Sequence, residues 1–225
     1  MGEAIGQMLP AAVGVAISPF PIIASVLLLG TPRGRVNGPA FVLGCALGAA
    51  VVGTIVLVVA AGAAASTDGA PSTWVSVLEL LLGILLLLVA LKQWRGRPRG
   101  GEEAPRPKWM SALDGFGPPK ALGAGVVLTA LNPKNLILTV AGAAAIAQTG
   151  IPAGEQAVAL AVFVLIGCLG VAVPVVIALA MGDRSRALLD GIQSWMARNN
   201  TVIMVVILAL IGAKLIGDAI GGFSS

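Results

Sequence analysis

The sequence contains no histidine and no tyrosine, only two cysteines, and few charged residues. Without histidine, and with Glu79 as the one carboxylate inside a long apolar stretch, the chain lacks the ligands that a divalent cation needs. It also lacks a Walker loop, a nucleotide-binding signature and a nucleophile elbow. We therefore expect no metal site, no cofactor and no enzymatic activity.

The scarcity of charge points to a membrane protein. Charged residues make up 11% of the chain, 57% of the residues are hydrophobic, and the mean hydropathy is +0.98. A soluble protein needs more polar surface than this. Two uncharged runs, residues 36–67 and 156–182, exceed the roughly 20 residues that cross about 30 Å of hydrocarbon as a helix. The sequence therefore predicts an all-α integral membrane protein.

Six transmembrane spans emerge when the rest of the chain is read in the same way. The predicted spans are residues 4–29, 39–63, 74–91, 121–147, 156–181 and 201–216. Residues 1–93 would form a first three-helix unit and residues 120–225 a second, joined by a basic, proline-rich cytoplasmic linker at 94–119. Apolar residues at helical spacing among charged ones predict an interfacial helix at 184–198.

The loops alternate in charge along the chain. Basic residues dominate the loops after spans one, three and five, whereas the other loops carry only Asp68 or Glu155. The positive-inside rule then places both termini outside the cytoplasm of a plasma-membrane protein. The net charge of +4 reports this topology and contact with anionic lipids, not nucleic-acid binding. No basic amino-terminal region with a small-residue cleavage site precedes span one, so we expect no removed signal peptide.

A polar motif, Asn132-Pro133-Lys134-Asn135, interrupts the fourth span. Proline removes a backbone donor and clashes with the carbonyl one turn back, so the helix must break or kink there. Non-helical backbone and a basic side chain at membrane depth are tolerated only where they face protein or a polar cavity. The motif therefore predicts a broken helix beside an internal polar site.

The chain matches itself at two places. Residues 15–23 match residues 129–137, so that Pro19 coincides with Pro133, and residues 41–48 match residues 163–170 with the Gly-Cys pair displaced by one position. Three spans per unit is an odd number, so the two copies would be inverted in the membrane. Inverted repeats of secondary transporters place paired, broken helices at the midplane, where substrate binds.

The two matched proline motifs are therefore the candidate substrate-binding site. Its residues are Ser18, Pro19, Phe20, Pro21, Asn132, Pro133, Lys134 and Asn135. Lys134 and the half-helix amino terminus after Pro133 would supply positive charge suited to an anion or a carboxylate. Alternatively, Lys134 and Asn132 merely satisfy the freed backbone groups of the kink.

Glu79 and Lys214 are the other charged residues within the spans. They have similar predicted depths in spans three and six, so they would form an ion pair or extend separately to the interface. If Glu79 instead lines the cavity, it is the one buried carboxylate able to carry protons for coupling. The sequence leaves these alternatives open.

Cys45 and Cys168 lie among small residues, including the GxxxG pair Gly44 and Gly48. Close helix packing is the expected role, within one chain or in a homodimer. A disulfide-exchange protein would place cysteines at the broken helices, where Phe20 and Lys134 stand instead.

Several segments resemble the GAP family of actinobacterial membrane proteins. The segments are Leu91-Lys92-Gln93-Trp94-Arg95, Pro107-Lys108-Trp109-Met110, Ala112-Leu113-Asp114, residues 130–136 and Ser18-Pro19-Phe20-Pro21. That family includes the sulfolipid-1-addressing and glycopeptidolipid-addressing proteins and belongs to the lysine exporter (LysE) superfamily. The resemblance implies a six-span inverted-repeat fold and export of complex glycolipids toward the cell surface.

These observations favour an exporter that works by alternating access, with a polar lipid, a small acidic amphiphile or an amino-acid-like solute as cargo. Proton motive force would drive it, since no ATP-binding element is present. A competing hypothesis is a non-transporting accessory subunit that docks a lipid synthase or an exporter through the basic loop at residues 95–108. An intramembrane redox role for the cysteines is a third hypothesis.

Overall fold

Helices account for nearly all of the chain that the structure describes. The computed structural model describes residues 1–65, 73–96 and 115–224. Within these ranges the α-helices are α1 (Gly2–Ala16), α2 (Pro19–Leu29), α3 (Gly34–Ala65), α4 (Thr73–Arg95), α5 (Pro118–Ala130), α6 (Pro133–Gln148), α7 (Ala153–Met181) and α8 (Arg186–Ser224), with a short 3₁₀ helix at Gly182–Ser185. No strand occurs in the described ranges, which confirms the all-α fold class there.

Three helical segments of the described chain are long and apolar enough to cross a membrane: residues 34–62, 76–95 and 153–223. Two further segments qualify if each bent helix pair counts as one span. The chain is therefore a membrane-embedded helical protein with three to five candidate spans. The proline-rich linker falls mostly outside the described residues, at 97–114.

Both predicted helix breaks are present. The axis bends by 49° between α1 and α2 and by 67° between α5 and α6. At each break a polar residue caps the second helix, and proline occupies the first turn of that helix. A backbone N–H in the first turn would have no intrahelical acceptor, so proline costs the helix no hydrogen bond there. The capping residues share one extended conformation, with φ −72° and ψ 113° at Ser18 and φ −71° and ψ 117° at Asn132.

The long helix that follows each broken pair packs on the other broken pair. Helix α3 packs along α5 and α6, α7 packs along α1 and α2, and α4 pairs with α8. Two glycines allow the closest approaches. A Cβ on Gly44 would overlap the carbonyl of Leu122 in α5, and a Cβ on Gly170 would overlap the carbonyl of Ala16 in α1. Only a residue without a side chain permits backbones this close.

Helix α8 differs from the predicted separate interfacial helix at 184–198. Its 39 residues continue without interruption from Arg186 to Ser224, a length of about 58 Å, which is nearly twice the hydrocarbon thickness. Its first turns are anchored because α8 contacts α2, Met196 belongs to the buried cluster that also contains Ile22 and Ile23, and Ile192 packs against that cluster. This packing holds the amphipathic segment against the bundle as the beginning of the last helix.

The ends of the bundle differ in charge. Arg33 lies beside Gly117, just before α5, and Arg35 lies beside Gly182, just after α7. The three loops predicted to be basic therefore lie at the same end of the bundle. At another contact, the amino group of Met1 lies 3.5 Å from the Glu155 carboxylate. The loops predicted to share a side of the membrane are therefore neighbours in the fold.

Candidate functional site

The two helix breaks meet at a small internal cavity of about 10 Å³, roughly the space that one water needs. Residues from both broken pairs and from α3 and α7 surround it. They are Val15, Pro21, Cys45, Ala49, Thr129, Asn135, Gly167, Cys168 and Val171. Of the predicted site residues, Pro21 and Asn135 line this cavity.

The cavity lining follows the self-matches of the sequence. Six of its nine residues form three pairs within those matches, and two more form a fourth pair one position beyond the second match. The pairs are Val15 with Thr129, Pro21 with Asn135, Cys45 with Gly167, and Ala49 with Val171. The ninth residue, Cys168, follows Gly167 and accounts for the one-position displacement of the Gly-Cys pair. The cavity is thus bounded by equivalent positions of the matched segments.

The first break is mostly apolar and buried. Ser18 caps α2 without a side-chain hydrogen bond to the helix, and Ser18, Pro19 and Pro21 are all buried. Phe20 differs because 36% of its surface is exposed. Three of the four predicted residues are therefore interior, whereas Phe20 lies on the outside of the bundle.

The second break carries the polar groups. Asn132 Oδ1 accepts a hydrogen bond of 3.1 Å from the Lys134 backbone N–H, and Asn135 Nδ2 donates one of 3.3 Å to the Leu128 carbonyl at the end of α5. These two amides satisfy backbone groups that the break leaves open. The structural role foreseen for Asn132 is therefore present, while the adjacent Pro133 is exposed.

Lys134 has no comparable structural role. Its side chain is only 4% exposed, and its Nζ has no hydrogen-bond partner in the described part of the chain. Asn135 Oδ1 is also buried without a partner. A buried ammonium group usually has a carboxylate or several acceptors around it, because desolvation of an unpaired charge is costly. The break therefore presents a buried amino group and a buried acceptor that a bound polar group would satisfy.

Both cysteines are free thiols that line the cavity, and both also pack as the sequence predicts, Cys45 within a buried core cluster and Cys168 against it. The Thr129 hydroxyl forms a side-chain hydrogen bond with the Cys45 thiol. Thr129, Cys45 and Cys168 are site residues that inspection of the proline motifs misses. The alignment of the two matched segments would have indicated Thr129, because Thr129 aligns with Val15 and both lie one turn before a break.

Glu79 is buried in α4, with 2% of its surface exposed. Gln148, at the end of α6, lies close enough to act on the Glu79 carboxyl group as a hydrogen-bond donor. Lys214 pairs with Asp218 on its own helix instead of with Glu79, although its charge is close enough to act on Glu79. Glu79 lies outside the cavity lining, at the opposite end of α6 from Lys134.

Comparison with known proteins gives one match. A family model described as "Sap, sulfolipid-1-addressing protein" covers residues 8–221. No curated protein and no solved structure matches the chain. The family match includes both broken helix pairs, both cysteines, Glu79 and Lys214. This coverage of nearly the whole chain confirms the resemblance seen in the sequence, and the protein belongs to the sulfolipid-1-addressing protein family.

Proposed function

We propose that this protein is a secondary transporter that exports an acidic amphiphile or polar lipid by alternating access. The observation that carries this proposal is the buried, unpartnered Nζ of Lys134 at a helix break. The positive end of α6, which begins at Pro133, adds partial positive charge beside it. An anionic headgroup would offset the cost of burying the ammonium group, so cargo binding and charge compensation would be the same event.

Family membership supports a lipid as the cargo, because its model is described as lipid-addressing. The Lys134 site sets a second condition for the cargo. The cargo must carry an acidic group that can pair with an ammonium group and form hydrogen bonds. A glycolipid with an anionic headgroup satisfies both conditions. An amino-acid-like solute satisfies the second through its carboxylate.

A six-span inverted repeat is the architecture that this mechanism needs, and several features support it. The element order of a bent pair followed by two long helices occurs twice, and the capping residues of both breaks have matching backbone angles. The cavity lies between aligned positions of the two halves. In the 71-residue apolar segment at 153–223, Gly182 has a φ of +56°, a conformation that ends α7 and allows α8 to begin as a separate span.

The proposed orientation places both termini outside the cytoplasm of the plasma membrane. The neighbouring positions of Arg33, Arg35 and the turn at Gly182–Ser185 support one basic end of the bundle. By the positive-inside rule that end faces the cytoplasm. Cargo would then enter from the cytoplasmic leaflet and leave at the end that carries Glu155.

The competing proposal is an accessory subunit that docks a lipid synthase or exporter through the linker. The basic end of the bundle beside Gly117 favours a docking role for that side of the protein. Both proposals place the protein in lipid export, so a test must separate the internal site from the linker.

Deletion of residues 99–107 separates the two proposals. If the protein itself transports, cells that carry this deletion should keep at least half of the wild-type surface level of the exported lipid, because the deletion leaves α4 and α5 intact. Cells that lack the protein should lose that lipid from the surface and accumulate it inside. Untargeted mass spectrometry of surface-extractable lipids, culture medium and cell contents measures both. Complete loss of surface lipid in the deletion strain, at normal protein level, would favour the accessory subunit.

Glu79 is the proposed coupling residue, because its buried carboxyl group lies near Gln148 at the end of α6, the helix that begins at Pro133 beside Lys134. Glu79→Gln keeps the shape of the side chain but removes the exchangeable charge. We expect proton-driven export in proteoliposomes to fall about tenfold, whereas exchange of cargo without a proton gradient continues. The matched control is Asp218→Asn, which removes a nearby carboxylate that is already paired with Lys214. An equal loss of driven export in both variants would contradict a specific coupling role.

A further inference from the structure

An apolar groove runs along about the first three turns of α8. It has a volume of about 510 Å³, within the range of small-molecule sites. Its lining residues are Ala187, Leu188, Gly191, Ile192, Trp195 and Met196. Met196 belongs to a buried cluster with residues of α2 and Ile192 packs against it, whereas Leu188 and Trp195 are about half exposed. The groove is therefore an open, shallow apolar face of α8 whose inner edge joins the core.

Basic residues stand where this groove begins. Arg184 lies in the 3₁₀ turn Gly182–Ser185, which directly precedes the groove-lining residues of α8. Arg35 adds a second guanidinium group, because its Nη2 reaches Gly182 in the same 3₁₀ turn. Both arginines are exposed, and the amino terminus of the 39-residue helix α8 adds partial positive charge at this point.

The neighbouring acidic residues do not neutralise this pair. Asp183 is engaged by Arg186 at 2.9 Å. Asp190 lies on the opposite side of α8 from the groove, as helical spacing from Gly191 and Trp195 requires. Arg198 is on the groove side, but it lies about 21 Å along the helix from Arg184, too far to share one headgroup with it. The groove thus has a cationic end at Arg35 and Arg184 and an apolar body.

We propose that the groove binds an anionic phospholipid, with the phosphate between Arg35 and Arg184 and one acyl chain along Gly191 and Trp195. Lipid tails surround the protein everywhere, so burial of a chain gives little preference for one lipid over another. The preference comes from the arginines, each worth about fivefold in affinity for an anionic over a zwitterionic headgroup. This site is separate from Lys134 and does not depend on the proposed transport activity.

Trp195 supplies the probe that tests the site. The full-length protein, with Trp74, Trp94 and Trp109 replaced by Phe, is placed in nanodiscs that contain bromine-labelled acyl chains on phosphatidylglycerol or on phosphatidylcholine. Bromine quenches the fluorescence of a tryptophan that it touches. We expect phosphatidylglycerol to quench Trp195 at a mole fraction at least tenfold lower than phosphatidylcholine. Native mass spectrometry of the wild-type protein should show the same preference in retained lipids.

Three variants test the assignment within the groove. Arg35→Gln and Arg184→Gln should each reduce the preference about fivefold, whereas Arg186→Gln, which changes the paired arginine on the other side of the helix, should leave it unchanged. Gly191→Leu should weaken quenching by both lipids, because a side chain there meets open space and fills the groove without a clash.

Equal quenching by the two lipids would overturn the proposal. A preference that survives the loss of both Arg35 and Arg184 would also overturn it, since the headgroup would then be held elsewhere. Quenching by neither lipid would mean that protein covers Trp195, either a second copy or another segment of this chain, and would equally exclude the lipid site.

Discussion

Replacement of Lys134 by methionine should abolish export and leave the protein folded. The ammonium group of Lys134 is buried without a partner, so its removal takes no hydrogen bond from the described structure. Methionine has a similar length and no charge to desolvate, and such a substitution at an uncompensated buried charge is neutral or stabilising. Loss of a charge-assisted contact with the cargo should instead lower export about 10- to 100-fold.

The measurement compares cells that lack the protein with cells complemented by wild type, Lys134→Met or Lys120→Met at equal protein level. Lys120 is the matched control because it is an exposed lysine in the first turn of α5. A lipid that leaves the surface and accumulates inside in the null and Lys134→Met strains, but not in Lys120→Met, would identify the cargo. A wild-type lipid profile in Lys134→Met cells would refute the midplane site and favour the accessory subunit.

Local chemistry explains why the helix breaks could be predicted from the sequence. Proline has no N–H to donate and clashes with the preceding turn, so Pro19 and Pro133 had to start helices in apolar surroundings. Asn132 then caps α6 as its position before proline favours. These outcomes depend on residues a few positions apart, and the sequence contains all of them.

The lining of the cavity depends on contacts between distant segments. Cys45 and Cys168 reach it because α3 and α7 each pack on the broken pair of the other half. Small residues around each cysteine indicate close packing against another helix, but they do not identify that helix. The repeat register restricts the choice, since it aligns Cys45 with Gly167 and Val15 with Thr129. Applying this alignment to the sequence would have predicted that these residues lie near the breaks.

Lys214 shows how a local partner decides between alternatives that the sequence leaves open. Its pairing with Asp218 follows the i, i+4 rule for neighbours on one helix face, and the sequence shows that spacing directly. Glu79, the other partner considered for Lys214, lies on another helix. A local partner is always within reach, whereas a partner on another helix depends on the rotation of both helices.

Among the glycines that the structure describes, Gly44 and Gly170 should cause the largest loss of stability on replacement by alanine. A Cβ at Gly44 would occupy the position of the Leu122 carbonyl group, and a Cβ at Gly170 would occupy that of Ala16. Backbone cannot move aside as a flexible side chain does, so the helices must separate. We expect a cost of about 3 kcal/mol for each variant, and a melting temperature about 10 °C lower for a chain of this size.

Thermal unfolding in detergent measures the effect, with Gly62→Ala in α3 and Gly154→Ala in α7 as matched controls. A Cβ at either control position meets open space, and alanine favours a helix over glycine, so neither should lower the melting temperature. Both contacts join a long helix of one half to the broken pair of the other half. Normal melting with lost export would therefore mean that these glycines permit movement between the halves, whereas normal melting with normal export would contradict the close approach itself.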